Sequence, residues 1–95
     1  MSDQEFRDED RIVASTDLLT TRVDGEVMAM SVERGACYGL DPIGSRIWEL
    51  VETPVTVGDL VVRLTREYEV DAAVCRTDVC ALLSSMESEG MIRRV

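Results

Sequence analysis

The spacing of apolar residues changes at Asp41-Pro42, and that single switch fixes the order of elements in this chain. Before it, strand-forming residues come in short runs broken by turn residues. After it, apolar residues recur at helical spacing. Residues 18–23 (Leu-Leu-Thr-Thr-Arg-Val) are followed by Asp24-Gly25, a pair suited to a type I′ hairpin turn because both positions accept positive φ. Residues 26–32 give a second strand, Glu33-Arg34-Gly35 a longer turn, and residues 36–40 a short third strand. Ile12-Val13-Ala14 forms either a separate short strand or an extension of the first. Met28 and Met30 share one face of the second strand, and that face is expected to point to the core.

Asp41 is a suitable N-cap, with Pro42 at the first helical position. Ile43, Ile47, Leu50 and Val51 make the first helix amphipathic, Trp48 widens its apolar face, and Thr53-Pro54 ends it. Thr56 with Asp59 resembles a capping box, and Leu60, Val61, Leu64 and Tyr68 form the stripe of a second helix. Asp71 caps a third, whose apolar positions are Val74, Cys75, Val79, Leu82, Leu83 and Met86. Gly90 stops it, and Met91-Ile92 folds back onto its last turn. The expected fold is α+β: a three-stranded antiparallel sheet followed by three helices, arranged as a winged helix-turn-helix. With 95 residues there is room for one domain, over residues 12–95. Residues 1–11, with five acids and two bases, read as a solvated, flexible start.

A helix-turn-helix raises the question of DNA, and charge answers against it. The chain carries 19 acids and 10 bases, for a net charge of −9. Its third helix, the would-be reader, holds Asp71, Asp78, Glu87 and Glu89 against Arg76 alone. Such a surface repels phosphates, so neither nucleic acid nor an anionic membrane is an expected partner. All ten bases are Arg, which reflects genome composition before any chemistry. There is no His, hence no Ser-His or Cys-His pair and no imidazole metal ligand. Cys37, Cys75 and Cys80 form no C-x-x-C and read as small, reduced packing residues, with no basic cluster to activate a thiol. No enzyme activity, metal or other cofactor is expected. The start of the chain lacks the basic and apolar regions of a signal peptide, and no apolar run is long enough to span a membrane, which points to the cytoplasm.

The third strand is short, carries Gly39, and has no Lys or Pro to blunt an edge. An extended peptide can add to such an edge as a further strand, with a neighbouring helix giving a wall for its side chains. The alternatives are that the N-terminal segment covers the edge, or that a second copy pairs there.

The residues that carry a family resemblance begin at the same strand. Gly35, Tyr38, Leu40-Asp41, Gly44, Ile47-Trp48 and Leu50 stand in order and spacing similar to those of the peptide chaperone of pyrroloquinoline quinone synthesis. The likeness continues through residues 56–60, Leu64, Tyr68, Asp78-Val79 and the ending Glu89-Gly90-Met91-Ile92. The family usually has Asn where this chain has Asp41, and both residues cap helices. The resemblance implies a recognition element for the leader of a ribosomally made, modified peptide. Its flavour is most like that of the leader-binding proteins of lasso-peptide biosynthesis. These take the leader as an added strand between the third strand and third helix. They present it to a cysteine leader peptidase, ahead of an ATP-dependent cyclase.

The expected docking edge is therefore Ala36, Cys37, Tyr38 and Gly39, with Tyr38 either at the edge or in the core. Cys75, Asp78, Val79, Leu82 and Met86 follow one stripe of the third helix, and two or three of the five are expected to touch peptide. Val74 and Leu83 are expected in the core, as are Ile47 and Trp48. The competing function is a winged-helix transcription regulator, which calls for a basic reading helix.

Overall fold

The computed structural model describes residues 6–95. Its elements are β1 (Arg11–Ala14), β2 (Leu18–Val23), β3 (Glu26–Ser31), β4 (Ala36–Gly39), α1 (Pro42–Leu50), β5 (Val55–Thr56), α2 (Val57–Tyr68), α3 (Ala72–Ser88) and β6 (Ile92–Arg94). The expected meander is present as an antiparallel sheet of order β2-β3-β4, and the three expected helices follow it. Asp24 (φ 54°) and Gly25 (φ 83°) make the left-handed hairpin turn. The Asp41 Oδ1 accepts from the Gly44 N–H at 2.7 Å, the Thr56 Oγ1 from Asp59 at 3.2 Å, and the Asp71 Oδ2 from Val74 at 3.1 Å. Each bond satisfies a backbone donor that a helix start leaves unpaired. At the end of α3, Gly90 takes φ 75°, and the Met91 N–H donates to the Met86 carbonyl at 2.9 Å. This closure turns the chain back.

A second antiparallel sheet, β5-β1-β6, is added to that plan. Residues 12–14 are thus a strand of their own, paired with Val55–Thr56 and with Ile92–Arg94. Two- and three-residue strands show no period of their own, so only tertiary pairing reveals them. Ile12 at the centre of this sheet is fully buried and joins Ile47, Val51, Val57, Leu60, Leu64 and Leu83 in the core. Ser45 is buried as well. Its hydroxyl donates to the Leu40 carbonyl (3.2 Å) and accepts from the Val27 N–H (2.8 Å), bolting α1 to β3.

Of the acidic start, Met1–Glu5 lie outside the described residues. Phe6 is buried, with the Arg94 guanidinium 4.1 Å from its ring centre. The carbonyls of Asp8 and Asp10 accept from Gly58 and Val57 at the start of α2, and Arg76 on α3 pairs with Asp8 at 2.9 Å. Residues 6–10 therefore lie against α2 and α3 rather than on β4.

Three orientations differ from expectation. Met28 and Met30 point outward; Val27, Ala29 and Ser31 take the buried side of β3. Both faces of that strand are apolar, so alternation alone could not choose between them. Val74 is 57% exposed, whereas Leu83 is fully buried as expected. Cys37 is exposed, Cys75 buried and Cys80 partly buried. The Cys80 sulfur lies 3.0 Å from an Arg76 nitrogen, so a base does adjoin one thiol.

Arg46 on α1 grips Glu67 on α2 with two bonds, Nε–Oε1 at 2.8 Å and Nη2–Oε2 at 2.7 Å. This bonding holds the Glu67 carboxyl below its ordinary range. A lowered folded-state pKa stabilises above the unfolded value and is lost as pH falls through the folded one. Thermal melts should therefore show Glu67→Gln less stable than wild type at neutral pH, with the gap closing in acid. A gap that ignores pH would remove the ion pair as its cause.

Candidate peptide-docking site

β4 has β3 on one side only, and among the described residues no strand pairs with its other side. The register decides which groups it offers. Residue pairs across β3 and β4 are Met28↔Gly39, Ala29↔Tyr38, Met30↔Cys37 and Ser31↔Ala36. The Leu40 N–H donates to the Val27 carbonyl at 3.0 Å, one step beyond the first pair. In an antiparallel ladder, hydrogen-bonded and non-bonded pairs alternate. Ala36, Tyr38 and Leu40 thus direct their N–H and C=O groups into the sheet. Cys37 and Gly39 direct theirs out of it, to the open edge. Four backbone groups at that spacing match what one added strand needs.

Side chains alternate in the same register. Cys37 and Gly39 lie on the exposed face, whereas Ala36 and Tyr38 are half-buried on the other. The Tyr38 hydroxyl donates to Glu89 Oε1, at the C-cap of α3, at 2.9 Å. Partial burial first, and then Glu89, push the Tyr38 hydroxyl above its ordinary pKa, so it stays a donor. Arg34 reaches the same carboxylate at 3.8 Å. These contacts tie β4 and the turn before it to the end of α3.

Beyond the other end of β4, Asp41 borders an open apolar cavity of about 380 Å³. Its walls come from the first two turns of α1 (Ile43, Ile47), the end of α2 (Leu64, Tyr68), Val70, and α3 (Val74, Cys75, Asp78, Val79, Leu82). β4 is thus tied to the end of α3 at Tyr38–Glu89, and the pocket at Asp41 and Asp78 lies just beyond Gly39. Among the described residues, Asp41 and Asp78 are the only charged side chains in its lining.

The pocket brings together Cys75, Asp78, Val79 and Leu82 of the expected stripe. Met86 is only 2% exposed and belongs to the core, where Met91 folds back over the same turn. Ala36–Gly39 form the edge and do not line the pocket. Ile43, Tyr68, Val70 and Val74 were not foreseen as lining residues. The signal for Val74 was present: apolar residues spread around α3 more widely than one core-facing stripe requires. A helix apolar on more than one side has a second surface to cover.

The family described as coenzyme PQQ synthesis protein D, PqqD, matches residues 26–92. The chain belongs to the PqqD family. Proteins of the PqqD family are non-catalytic peptide-binding modules. Among the described residues no group of three or more His, Cys, Asp or Glu is placed to hold a metal ion. No described helix is long and apolar enough to cross a membrane. No curated protein sequence matches the chain. Among solved structures, TbiB1 in complex with the TbiA(beta) leader peptide is similar at TM-score 0.79 and 27% identity, over 85% of this chain and 94% of that one. Lasso peptide synthetase B1 complexed with its leader peptide gives 0.77 and 21%, over 86% and 96%. The PqqD portion of Methylobacterium extorquens PqqCD, a stand-alone recognition element for ribosomally synthesised and modified peptides, gives 0.79 and 18%, over 99% and 100%. The last two likenesses establish the PqqD-type fold.

Proposed function

We propose that this PqqD-family chain captures the leader of a ribosomally made precursor peptide as a fourth strand on β4, and holds it for enzymes that act on the precursor. The observation that carries this reading is the open edge at Cys37 and Gly39 beside an apolar pocket on α3. Backbone bonds supply orientation, and the pocket takes an apolar leader side chain near Val79 and Leu82. The leader runs antiparallel to residues 36–40. The pathway is lasso-peptide biosynthesis, a reading that rests on the sequence resemblance; the likeness to TbiB1, solved with a leader peptide, supports leader capture itself. Its partners are then a cysteine leader peptidase and an ATP-dependent cyclase, and its place is the cytoplasm. The net charge of −9 favours a leader carrying Lys or Arg and acts chiefly on association.

Incubating the purified protein with the cognate leader peptide tests the reading. Titration should show saturable binding, mass spectrometry an unchanged peptide mass, and added salt a slower association. Absence of binding, or a peptide cleaved with contaminating protease excluded, would overturn it.

A further inference from the structure

The outer face of the second sheet, β5-β1-β6, runs against the charge of the whole chain. Its ladder pairs Val13 with Arg93, and the Val95 N–H donates to the Arg11 carbonyl at 2.9 Å, one pair further on. Ile12 and Ile92 are buried in the core. Alternation then places Arg11, Val13, Arg93 and Val95 together on the opposite side. Arg11, Arg93 and Val95 are exposed there, and Val13 is half-buried. Arg11 also borders a polar cavity of about 370 Å³ that Arg63 of α2 lines from the other side. Among the described residues the acids of that cavity are Glu49 and Asp59, and Glu49 is already held by Arg22 and Arg46. Arg11, Arg63 and Arg93 have no acid within ion-pair distance among the described residues. A chain of net charge −9 therefore keeps three bases unpaired around two valines, a face complementary to an acidic ligand.

Position says which acidic ligand. A leader antiparallel to β4 enters beside Asp41 and leaves past Ala36. Arg34, in the turn before β4, reaches Glu89 at 3.8 Å and lies beside Gly90. Arg93 is only three residues beyond Gly90, a reach of about 10 Å of extended chain. The part of the precursor that follows the leader strand thus emerges beside β6, with Arg93 before it and Arg11 beyond. Once the leader is held, this segment meets the face as an intramolecular neighbour, at high effective concentration. A separate acidic protein has no such advantage.

We propose that the outer face of the β5-β1-β6 sheet, at Arg11, Val13, Arg93 and Val95, holds an acidic segment of the precursor downstream of the leader strand. This rests on β4 being the leader edge. The guanidinium groups pair with Asp or Glu carboxylates of the segment, and the valines cover its apolar neighbours. Acids at the entry, Asp41 and Asp78, and bases at the exit then select a precursor whose charge changes from positive to negative along its length.

The test titrates two peptides calorimetrically, the precursor encoded beside this gene at full length and the same peptide cut after its leader strand. The variant is Arg11→Gln with Arg93→Gln, two exposed positions whose change should leave the thermal melt as in wild type. Wild type should bind the full precursor about threefold to tenfold more tightly than the leader alone. The double variant should bind both peptides alike, with leader affinity as in wild type, and high salt should remove the wild-type difference. Arg11→Lys with Arg93→Lys should keep part of it. Equal affinity of wild type for the two peptides, or a difference that persists in the Gln variant, would overturn the proposal and leave leader capture standing. So would a difference traced to a downstream segment without acids. Absence of leader binding by wild type would instead defeat the edge reading on which the proposal rests.

Discussion

Cys37→Pro is expected to leave the domain folded and to weaken leader binding about tenfold or more. Proline removes one N–H and fixes φ near −65°, which an edge strand tolerates when that N–H points away from its neighbour. The β3–β4 register gives Cys37 that property. A single ladder bond contributes about 0.5–1.5 kcal/mol net, and the unpaired leader carbonyl together with the intruding ring adds to the loss. Tyr38→Pro is the control. Its N–H points into the sheet, so the same change there should cost about 1–3 kcal/mol of stability by orphaning the Ala29 carbonyl. Cys37→Ala, which keeps the N–H, should bind leader as wild type does. Calorimetric titration, after a cooperative melt has been shown for each variant, reads all three. A folded Cys37→Pro with wild-type affinity would mean that the leader does not use this edge.

The contrast between those two prolines shows which parts of the site were legible in the sequence. The strands, the Asp24-Gly25 turn and the three helix caps depend on neighbours within four residues, and each declared itself through residue type. The identity of the edge strand followed from its shortness and its lack of guarding Lys or Pro. Which of its groups face outward did not. That depends on the phase of the ladder, fixed by the bond from Leu40 to Val27 and by the Ser45 hydroxyl that occupies the Val27 N–H. The same limit explains Met28 and Met30. Val27 and Ala29 are as apolar as the methionines, so alternation marked a strand without saying which side is covered. Strands β5 and β6 were illegible for a different reason. They exist because Ile12 lies between them, and no local pattern encodes a bridge between residues 12, 55 and 94.

The pocket was half legible. Cys75, Val79 and Leu82 repeat at helical spacing, and in the structure all three line the pocket while Cys75 and Val79 also belong to the core. The division between the two could not be read from one helix, because it depends on how α1 and α2 approach. Ile43, Tyr68 and Val70 converge with Val74 only after α1 is locked to β3 by Ser45 and to α2 by Arg46–Glu67. Met86 has the same spacing as its stripe-mates, but the returning chain at Met91 covers it.

Val74 offers the sharpest test of the pocket, because its exposure separates binding from folding. Val79→Asp would place a carboxylate in the core, where Val79 is 4% exposed, and folding and affinity would fall together. Val74 is 57% exposed at the third position of α3. An acid in the first turn of a helix gains about 0.3–1 kcal/mol from the dipole. A like-charged Asp78 four residues on takes back about 0.2–0.5 kcal/mol. Val74→Asp should therefore melt close to wild type. In the complex the new carboxylate would be trapped against an apolar leader side chain, with no base among the described lining residues to pair it. An unpaired neutral polar group costs about 1–3 kcal/mol and a desolvated charge no less, so affinity should drop by about tenfold to a hundredfold or more. Val74→Ala loses contact area alone and should cost less. Tighter binding of leader by Val74→Asp would mean that a basic side chain, drawn by Asp41 and Asp78, occupies the pocket in place of an apolar one. Unchanged affinity in a folded Val74→Asp would place the leader's anchor outside the pocket altogether.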